Sequence, residues 1–215
     1  WASGDYAIAK SVDEYEQMYQ PHLPGEFRDA GRPTRVTPLY EPLKQAGALY
    51  GDTFGWERAK WYAAKGEKEN YSFRRNNSFA AVAKECKVVR ERVGLTDLTS
   101  FSKYEVSGTD AQSFLERLCA NRVPTKAGGI VLSQMLTEKG GIESEATIAC
   151  LAENHYYLLS AAVAELHDFD WLVQHIQKDE DVSVTNVTED FGVLLLTGPL
   201  SRDVLSTLTG TNLGN

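Results

Sequence analysis

The sequence predicts an α+β fold with mixed or antiparallel sheets, packed helices and a ferredoxin-like subunit. From residue 78 onward, apolar residues with helical spacing alternate along the chain with apolar residues spaced as in strands. Hairpin signals occur between the strands, which favours antiparallel or mixed sheets. A strand, a Ser/Thr-Gly turn and a helix also occur twice, because residues 106–118 align without gaps with residues 196–208. A repeated unit of this kind is what a split βαβ arrangement would produce.

The individual elements follow from these two periods. A stripe at Phe79, Val82, Cys86, Val89 and Val93 predicts a helix, which Gly94 is placed to end. Further helices are predicted around residues 114–118, 166–176 and 200–208. Strands are predicted at residues 104–106, 130–135, 142–151, 155–160, 182–187 and 191–197.

The first 76 residues lack a clean period and are rich in aromatic side chains. Ser11-Val-Asp-Glu14 has the pattern of a capping box and predicts the start of a short helix. Prolines and glycines punctuate the next stretch, and residues 37–76 are expected to form ordered loops and a short helix around residues 40–45. The sequence thus predicts a connector at residues 1–76 and a second domain at residues 77–215.

Composition excludes several classes of protein. The net charge is −8 and the pI is about 5.1. A protein that binds duplex nucleic acid needs a basic face, so these values argue against such binding. No apolar run approaches the roughly 18 residues that a membrane helix needs. Cys86, Cys119 and Cys150 are odd in number and lie in apolar patterns, which predicts buried free thiols in a reducing compartment.

Common catalytic motifs are missing from the sequence. Neither a Gly-x-Gly-x-x-Gly pattern nor a phosphate-binding Gly-Lys-Ser/Thr pattern occurs. His155, His167 and His175 are the candidate metal ligands. Since His167 and His175 lie eight residues apart on one predicted helix with no nearby Cys or carboxylate at ligand spacing, no metal site is expected. Ser133 and Ser160 lie in predicted strands without the sharp turn of a hydrolase nucleophile.

Two carboxylates on one predicted strand are the main candidates for chemistry. Glu143 and Glu145 follow the Gly140-Gly141 turn, and alternation along a strand places them on one face. One interpretation is that both face water. In the other, one of them points into a cleft, where desolvation would raise its pKa and fit it to accept a proton.

Seven short blocks, in order, resemble a known family. They are GRPTRVTPLY at 31–40, FGWER at 54–58, GLTDLTSF at 94–101, CANRVP at 119–124, MLTEKGGI at 135–142, ELHD at 165–168 and LTGP at 196–199. In this order they resemble the dimethylglycine and sarcosine dehydrogenases over the whole chain. The resemblance covers the connector after the flavin domain and the first half of a folate-binding domain similar to the glycine cleavage T-protein, an aminomethyltransferase.

The resemblance implies roles for four residues. Glu145 stands where the T-proteins have an acid, usually Asp, beside the reactive amine region of the folate, and it is the implied catalytic residue. Phe101 replaces a Met that packs on the cofactor, and Leu132 and Met135 are implied wall residues of the pterin slot, although each could equally belong to the core. Leu132 stands in place of an aromatic residue and Ala161 in place of an Asn.

The implied activity is oxidative demethylation by a larger oxidoreductase. FAD in a preceding domain would oxidise a small-molecule methylamine, and tetrahydrofolate bound here would take up the one-carbon unit as methylenetetrahydrofolate. The partners would be the substrate, the folate and the protein's own flavin domain, in bacterial cytoplasm or the mitochondrial matrix. This piece alone is expected to be inactive, because the other half of each site would lie outside it.

Two other functions remain open. One is a flavin-independent aminomethyltransferase or demethylase, against which the block at residues 31–58 argues. The other is a non-catalytic folate-binding or assembly module, for which the departures at Leu132 and Ala161 would argue.

Overall fold

A computed structural model describes residues 2–214, which form two compact units. One unit combines residues 2–98 with residues 192–214, and the other is Thr99–Phe191. The division therefore falls after residue 98, whereas the sequence predicts a domain boundary between residues 76 and 77.

The unit Thr99–Phe191 contains a five-stranded antiparallel sheet with a ferredoxin-like order. Its elements are β4 (Ser102–Ser107), α4 (Ala111–Leu118), β5 (Ile130–Leu136), β6 (Ile142–Ala152), β7 (His155–Ser160), α5 (Glu165–Gln174) and β8 (Ser183–Asn186). The strand order is β5-β6-β7-β4-β8, and every neighbouring pair is antiparallel. Without β5, the chain runs βαββαβ with β4 and β7 in the centre, which confirms the predicted ferredoxin-like fold. The second copy of the repeat on which that prediction is based, residues 196–208, lies in the other unit. The strand β5 is added at the edge of β6.

The core of this unit lies between the sheet and its two helices. Residues of α4 at helical spacing, Ala111, Phe114, Leu115 and Leu118, are all buried. Leu172 of α5 joins them against alternate residues of the strands. Those strand residues are Tyr104, Val106, Met135, Ile148, Cys150, Tyr156 and Leu158. Both helices thus pack on one face, and the other face of the sheet carries no helix of this unit.

The other unit is built from shorter elements. They are α1 (Gly4–Glu16), α2 (Tyr40–Gln45), β1 (Ala48–Thr53), β2 (Trp56–Tyr62), α3 (Ser78–Glu91), β3 (Gly94–Asp97), β9 (Leu194–Thr197) and α6 (Ser201–Ser206). The strands form two antiparallel pairs, β1 with β2 and β3 with β9. The helix predicted around residues 40–45 is confirmed as α2.

The structure of this unit differs from the sequence-based expectations at three places. The first helix begins at Gly4, because the side chain of Ser3 accepts a hydrogen bond from the backbone N–H of Tyr6 at 3.2 Å, so Ser11 lies inside the helix. Residues 48–62 form the β1–β2 hairpin in addition to the expected loops. Residues 94–97 form a strand paired with β9 instead of only ending the helix α3.

The repeated strand–turn–helix unit is present at both places that the sequence predicts. Gly108 joins β4 to α4 with φ of +126°, and Gly198 joins β9 to α6 with φ of +114°. In both copies the glycine carbonyl accepts a hydrogen bond from the N–H three residues later, at 3.0 and 3.1 Å. A side chain at either glycine would collide with backbone carbonyls, those of Asp181 and Arg92. The match of local geometry explains the match of sequence.

The three cysteines are free thiols, but only one is fully buried. Cys150 is buried, Cys119 is half-buried and Cys86 is exposed, so the expectation of burial is wrong for Cys86. Its helix α3 has no buried residue within the described part of the chain. None of the helices in residues 2–214 has the length and apolar character needed to span a membrane.

Candidate functional site

A β-bulge places Glu143 and Glu145 on opposite sides of the sheet. The register of β5 with β6 shifts between Met135 and Leu136, which leaves Glu143 as an extra residue without a partner on β5. Oε1 of Glu143 lies 2.8 Å from Nε2 of His167 on α5, which packs on the helix-covered face. The prediction that the two carboxylates share a face is therefore wrong, because strict alternation stops at the bulge.

Glu145 lies on the face that has no helix. Directly opposite, Gln134 of β5 donates a hydrogen bond from Nε2 to Oε2 of Glu145 at 2.6 Å. Glu145 is exposed, so no cleft formed by Thr99–Phe191 alone desolvates it. Extending the register between β6 and β7, in which Thr147 pairs with Leu159, places Ala161 in line with Glu145 on the other side. Glu145 is thus flanked by an amide and a small side chain.

We call the face of the sheet that has no helix of this unit the open face. A row of four paired residues crosses it beside Glu145. Leu132, Thr147, Leu159 and Lys103 are opposite one another on β5, β6, β7 and β4. Leu132 is 52% exposed at one end of this row, whereas Lys103 is fully buried at the other. Leu132 and Leu159 thus give this face apolar side chains near a carboxylate, a combination that small-molecule sites also have.

Lys103 connects the predicted wall residue Phe101 to this face. Its Nζ donates hydrogen bonds to the backbone carbonyls of Thr99 at 2.6 Å and Phe101 at 2.8 Å. Its own backbone is held by Thr188, whose hydroxyl accepts from the Lys103 N–H at 3.0 Å. Burying an ammonium group requires such partners. The turn that contains Phe101 is therefore fixed over the β4 end of the open face.

Met135 does not belong to the open face. It is 1% exposed and packs in the core with residues of α4 and α5, because it alternates with Gln134 along β5. Its implied role as a wall residue is corrected to that of a core residue. Leu132 and Glu145 share the open face, and Phe101 borders it by its backbone.

Sequence reasoning missed three residues of this region. Gln134 has no motif to mark it and is found only from its pairing with Glu145. Tyr157 lies on the open face opposite Ala149, and Phe191 packs edge-on against it with ring centroids 6.2 Å apart. Burial, and then the nearby Glu105, raise the pKa of Tyr157, so its hydroxyl stays neutral at physiological pH. Its position in an alternating strand was the available signal.

Neither a reactive thiol nor a metal centre is built into this unit. Burial raises the pKa of the Cys119 thiol to about 11, which keeps it protonated and a weak nucleophile. Within residues 2–214, no group of three or more His, Cys, Asp or Glu side chains is placed to hold a metal ion.

The contact of His167 with two carboxylates predicts a dependence of stability on pH. Hydrogen bonds to buried Asp168 and to Glu143 raise the pKa of His167 above its usual value. Its stabilising effect is then fully present below the unfolded pKa, near pH 6.5, and is lost as the pH rises through the folded pKa. Since the side chain is 50% exposed, we expect the effect to stay below about 1 kcal/mol.

Urea unfolding of the wild type and of His167→Gln between about pH 5.5 and pH 8.5 checks this expectation. The difference in unfolding free energy should be largest at low pH and shrink toward high pH. A difference that grows with pH would contradict the assignment.

The comparisons place the chain in a family. The model of the GCVT N-terminal domain family matches residues 39–215, so the chain belongs to this family. The crystal structure of the glycine cleavage system aminomethyltransferase T from Bartonella henselae superposes with a TM-score of 0.67 and 26% identity. The superposition covers 81% of this chain and 43% of the aminomethyltransferase chain. The expected T-protein fold is confirmed, and the family match begins well before residue 77.

The relatives include a dehydrogenase and a regulatory subunit. Mitochondrial dimethylglycine dehydrogenase of Rattus norvegicus is 36% identical over 219 residues, which cover all of this chain and 25% of that protein. The mitochondrial pyruvate dehydrogenase phosphatase regulatory subunit of Mus musculus is 31% identical over 89% of this chain and 23% of its own length. The chain thus spans about a quarter of the length of these curated relatives.

Proposed function

We propose that this chain is part of a flavin-dependent N-methyl amine dehydrogenase of the dimethylglycine or sarcosine type. In this proposal it binds tetrahydrofolate and receives the one-carbon unit released by oxidation. The similarity to dimethylglycine dehydrogenase along the whole chain, including residues 1–38 outside the family model, is the observation that carries it. The oxidising flavin would belong to another part of the polypeptide.

The open face of the five-stranded sheet is the proposed folate site. A pterin ring is flat and partly apolar, which suits the surface formed by Leu132, Thr147 and Leu159. Tetrahydrofolate supplies the amine nitrogen that accepts the one-carbon unit. Glu145 would accept a hydrogen bond from that nitrogen, stabilise positive charge that develops on it and remove its proton. The turn that contains Phe101 would border the ring.

Glu145→Gln in the complete polypeptide tests this role. During dimethylglycine oxidation, we expect tetrahydrofolate to suppress the release of free formaldehyde per turnover in the wild type. The substitution keeps the shape of the side chain but removes its charge, so the rate of capture should fall about 100-fold. The measurement is formaldehyde released per substrate oxidised, as a function of tetrahydrofolate concentration.

Glu138→Gln is the matched control, because Glu138 is an exposed acid at the tip of the same hairpin. This variant should capture the one-carbon unit at the same rate as the wild type. If tetrahydrofolate leaves formaldehyde release unchanged in the wild type, capture of the one-carbon unit is contradicted.

A non-catalytic folate-binding module is the second candidate. It is favoured by the exposure of Glu145 and by the similarity to a protein named as a regulatory subunit. It predicts binding of tetrahydrofolate with no change of product on Glu145→Gln, which the same experiment distinguishes.

A further inference from the structure

Gln134 and Glu145 are joined by a short side-chain hydrogen bond in addition to the pairing of their strands. The two residues are directly opposite on β5 and β6, and the amide Nε2 approaches Oε2 of Glu145 to 2.6 Å. Hydrogen bonds to an ionised acceptor are shorter and about twice as strong as those between neutral groups. This contact uses Oε2 alone, so Oε1 of the carboxylate is left for a different partner.

The backbone of Gln134 is held on both sides. On one side it pairs with Glu145, and on the other its carbonyl accepts a hydrogen bond from the N–H of Ala120 at 2.9 Å. Two residues earlier on β5, the carbonyl of Leu132 accepts from Nδ2 of Asn121 at 2.6 Å. Because β5 is fixed in this way, the Gln134 amide is aimed from a rigid strand and not from a loop.

The remaining oxygen of Glu145 has no partner among the described residues, and the residue as a whole is exposed. Within the described part of the chain, Oε1 of Glu145 accepts no hydrogen bond, and neither Lys nor Arg forms an ion pair with this residue. An ionised carboxylate has acceptor sites only, so its partner must be a hydrogen-bond donor, and the N–H group of a ligand is one. Since no ion pair neutralises it, the carboxylate keeps its attraction for positive charge that develops on such a nitrogen.

We propose that Gln134 is a positioning residue for Glu145. It binds Oε2 and thereby turns Oε1 toward the amine N–H of the ligand on the open face. This inference rests on the proposed function, because it assigns the orientation of the carboxylate that the function uses.

A purely structural role makes a different prediction. A cross-strand pair on an exposed surface stabilises a sheet by about 0.2–1 kcal/mol, and its loss would act on the fold regardless of what stands at position 145. A positioning role acts only through the Glu145 carboxylate. The two roles therefore differ in whether the effect of Gln134 depends on Glu145.

A double-mutant cycle in the complete polypeptide separates them. The variants are Gln134→Leu, Glu145→Gln and the double substitution, with Gln174→Leu as a control at an exposed position of α5 that makes the same chemical change. For each, formaldehyde released per dimethylglycine oxidised is measured against tetrahydrofolate concentration. The curves give the half-saturating concentration and the capture at saturation.

We expect Gln134→Leu to lower capture at saturation about tenfold, the order of effect of one hydrogen bond to a charged group. The half-saturating concentration should change less than this. In the Glu145→Gln background the same substitution should change capture less than about twofold, and Gln174→Leu should behave as the wild type.

Equal effects of Gln134→Leu in both backgrounds, or no effect in either, would overturn the positioning role while leaving the proposed function standing. Wild type without any capture by tetrahydrofolate would instead overturn the proposed function, and the positioning role with it.

Discussion

Replacing Phe114 by alanine should lower the free energy of unfolding of the unit Thr99–Phe191 by about 3–5 kcal/mol. Phe114 is fully buried at the centre of the cluster formed by α4, α5 and the sheet. The substitution removes the apolar area of the ring and leaves a cavity that surrounding side chains fill only in part. A loss of this size is a large fraction of the stability of a small domain.

Hydrogen exchange followed by mass spectrometry measures this loss within the unit concerned. The slowest amides of β6 and β7 exchange by unfolding of the unit, so their rates report its free energy of unfolding. Phe73→Ala is the control, because that ring is 71% exposed and its removal should change stability by less than about 0.5 kcal/mol. Equal effects of the two substitutions would contradict the assignment of the core.

Replacing Glu57 by alanine should destabilise the other unit by about 3–5 kcal/mol, because Arg32 would be left as a buried charge without its main partner. The guanidinium donates from Nε to Oε1 at 2.8 Å and from Nη2 to Oε2 at 2.6 Å. The side chains of Arg32 and Glu57 are 9% and 3% exposed. In the wild type, the hydrogen bonds with Glu57 raise the pKa of Arg32. The variant loses those bonds, but a guanidinium keeps its proton in proteins, so the arginine cannot avoid the cost by becoming neutral.

Exchange of the β1 and β2 amides reports this effect. The control is Glu91→Ala, which removes the partner of Lys87 in an exposed ion pair of α3 with a separation of 3.9 Å. Exposed pairs contribute little, so this change should stay below about 0.5 kcal/mol. If the β1 and β2 amides exchange as slowly in Glu57→Ala as in the wild type, the Arg32–Glu57 pair contributes no more to stability than a surface contact.

Most of the sheet that carries Glu145 could be predicted from the sequence, because its strands and helices have clear periods. Alternation marks β6 and β7, and the spacing of Phe114, Leu115 and Leu118 marks α4. The turn glycines at 108 and 198 mark the repeated unit, since each has a positive φ that only glycine adopts easily. Local signals of this kind depend on a few neighbouring residues and can be read without knowing the fold.

Less of the candidate site could be predicted from the sequence, because its features depend on pairing between residues that are distant in the chain. The bulge at Glu143 results from the register of β5 against β6 and from the contact with His167, 24 residues away. The partnership of Gln134 with Glu145 likewise follows from register alone. The β1–β2 hairpin was missed because its strands do not alternate cleanly between polar and apolar residues. Family resemblance singled out Glu145, and pairing then identified its neighbour.

The bulge at Glu143 also separates the hairpin tip from the regular pairing of β5 with β6. Residues 137–141 close on themselves through the N–H of Thr137 to the Gly141 carbonyl at 2.9 Å and the N–H of Gly140 to the Thr137 carbonyl at 2.9 Å. Because the register is reset between this tip and Glu145, a change in the length of the tip does not rotate Glu145 to the other face. A reporter dye attached at exposed Lys139 would thus lie beyond the bulge, outside the paired residues around Glu145.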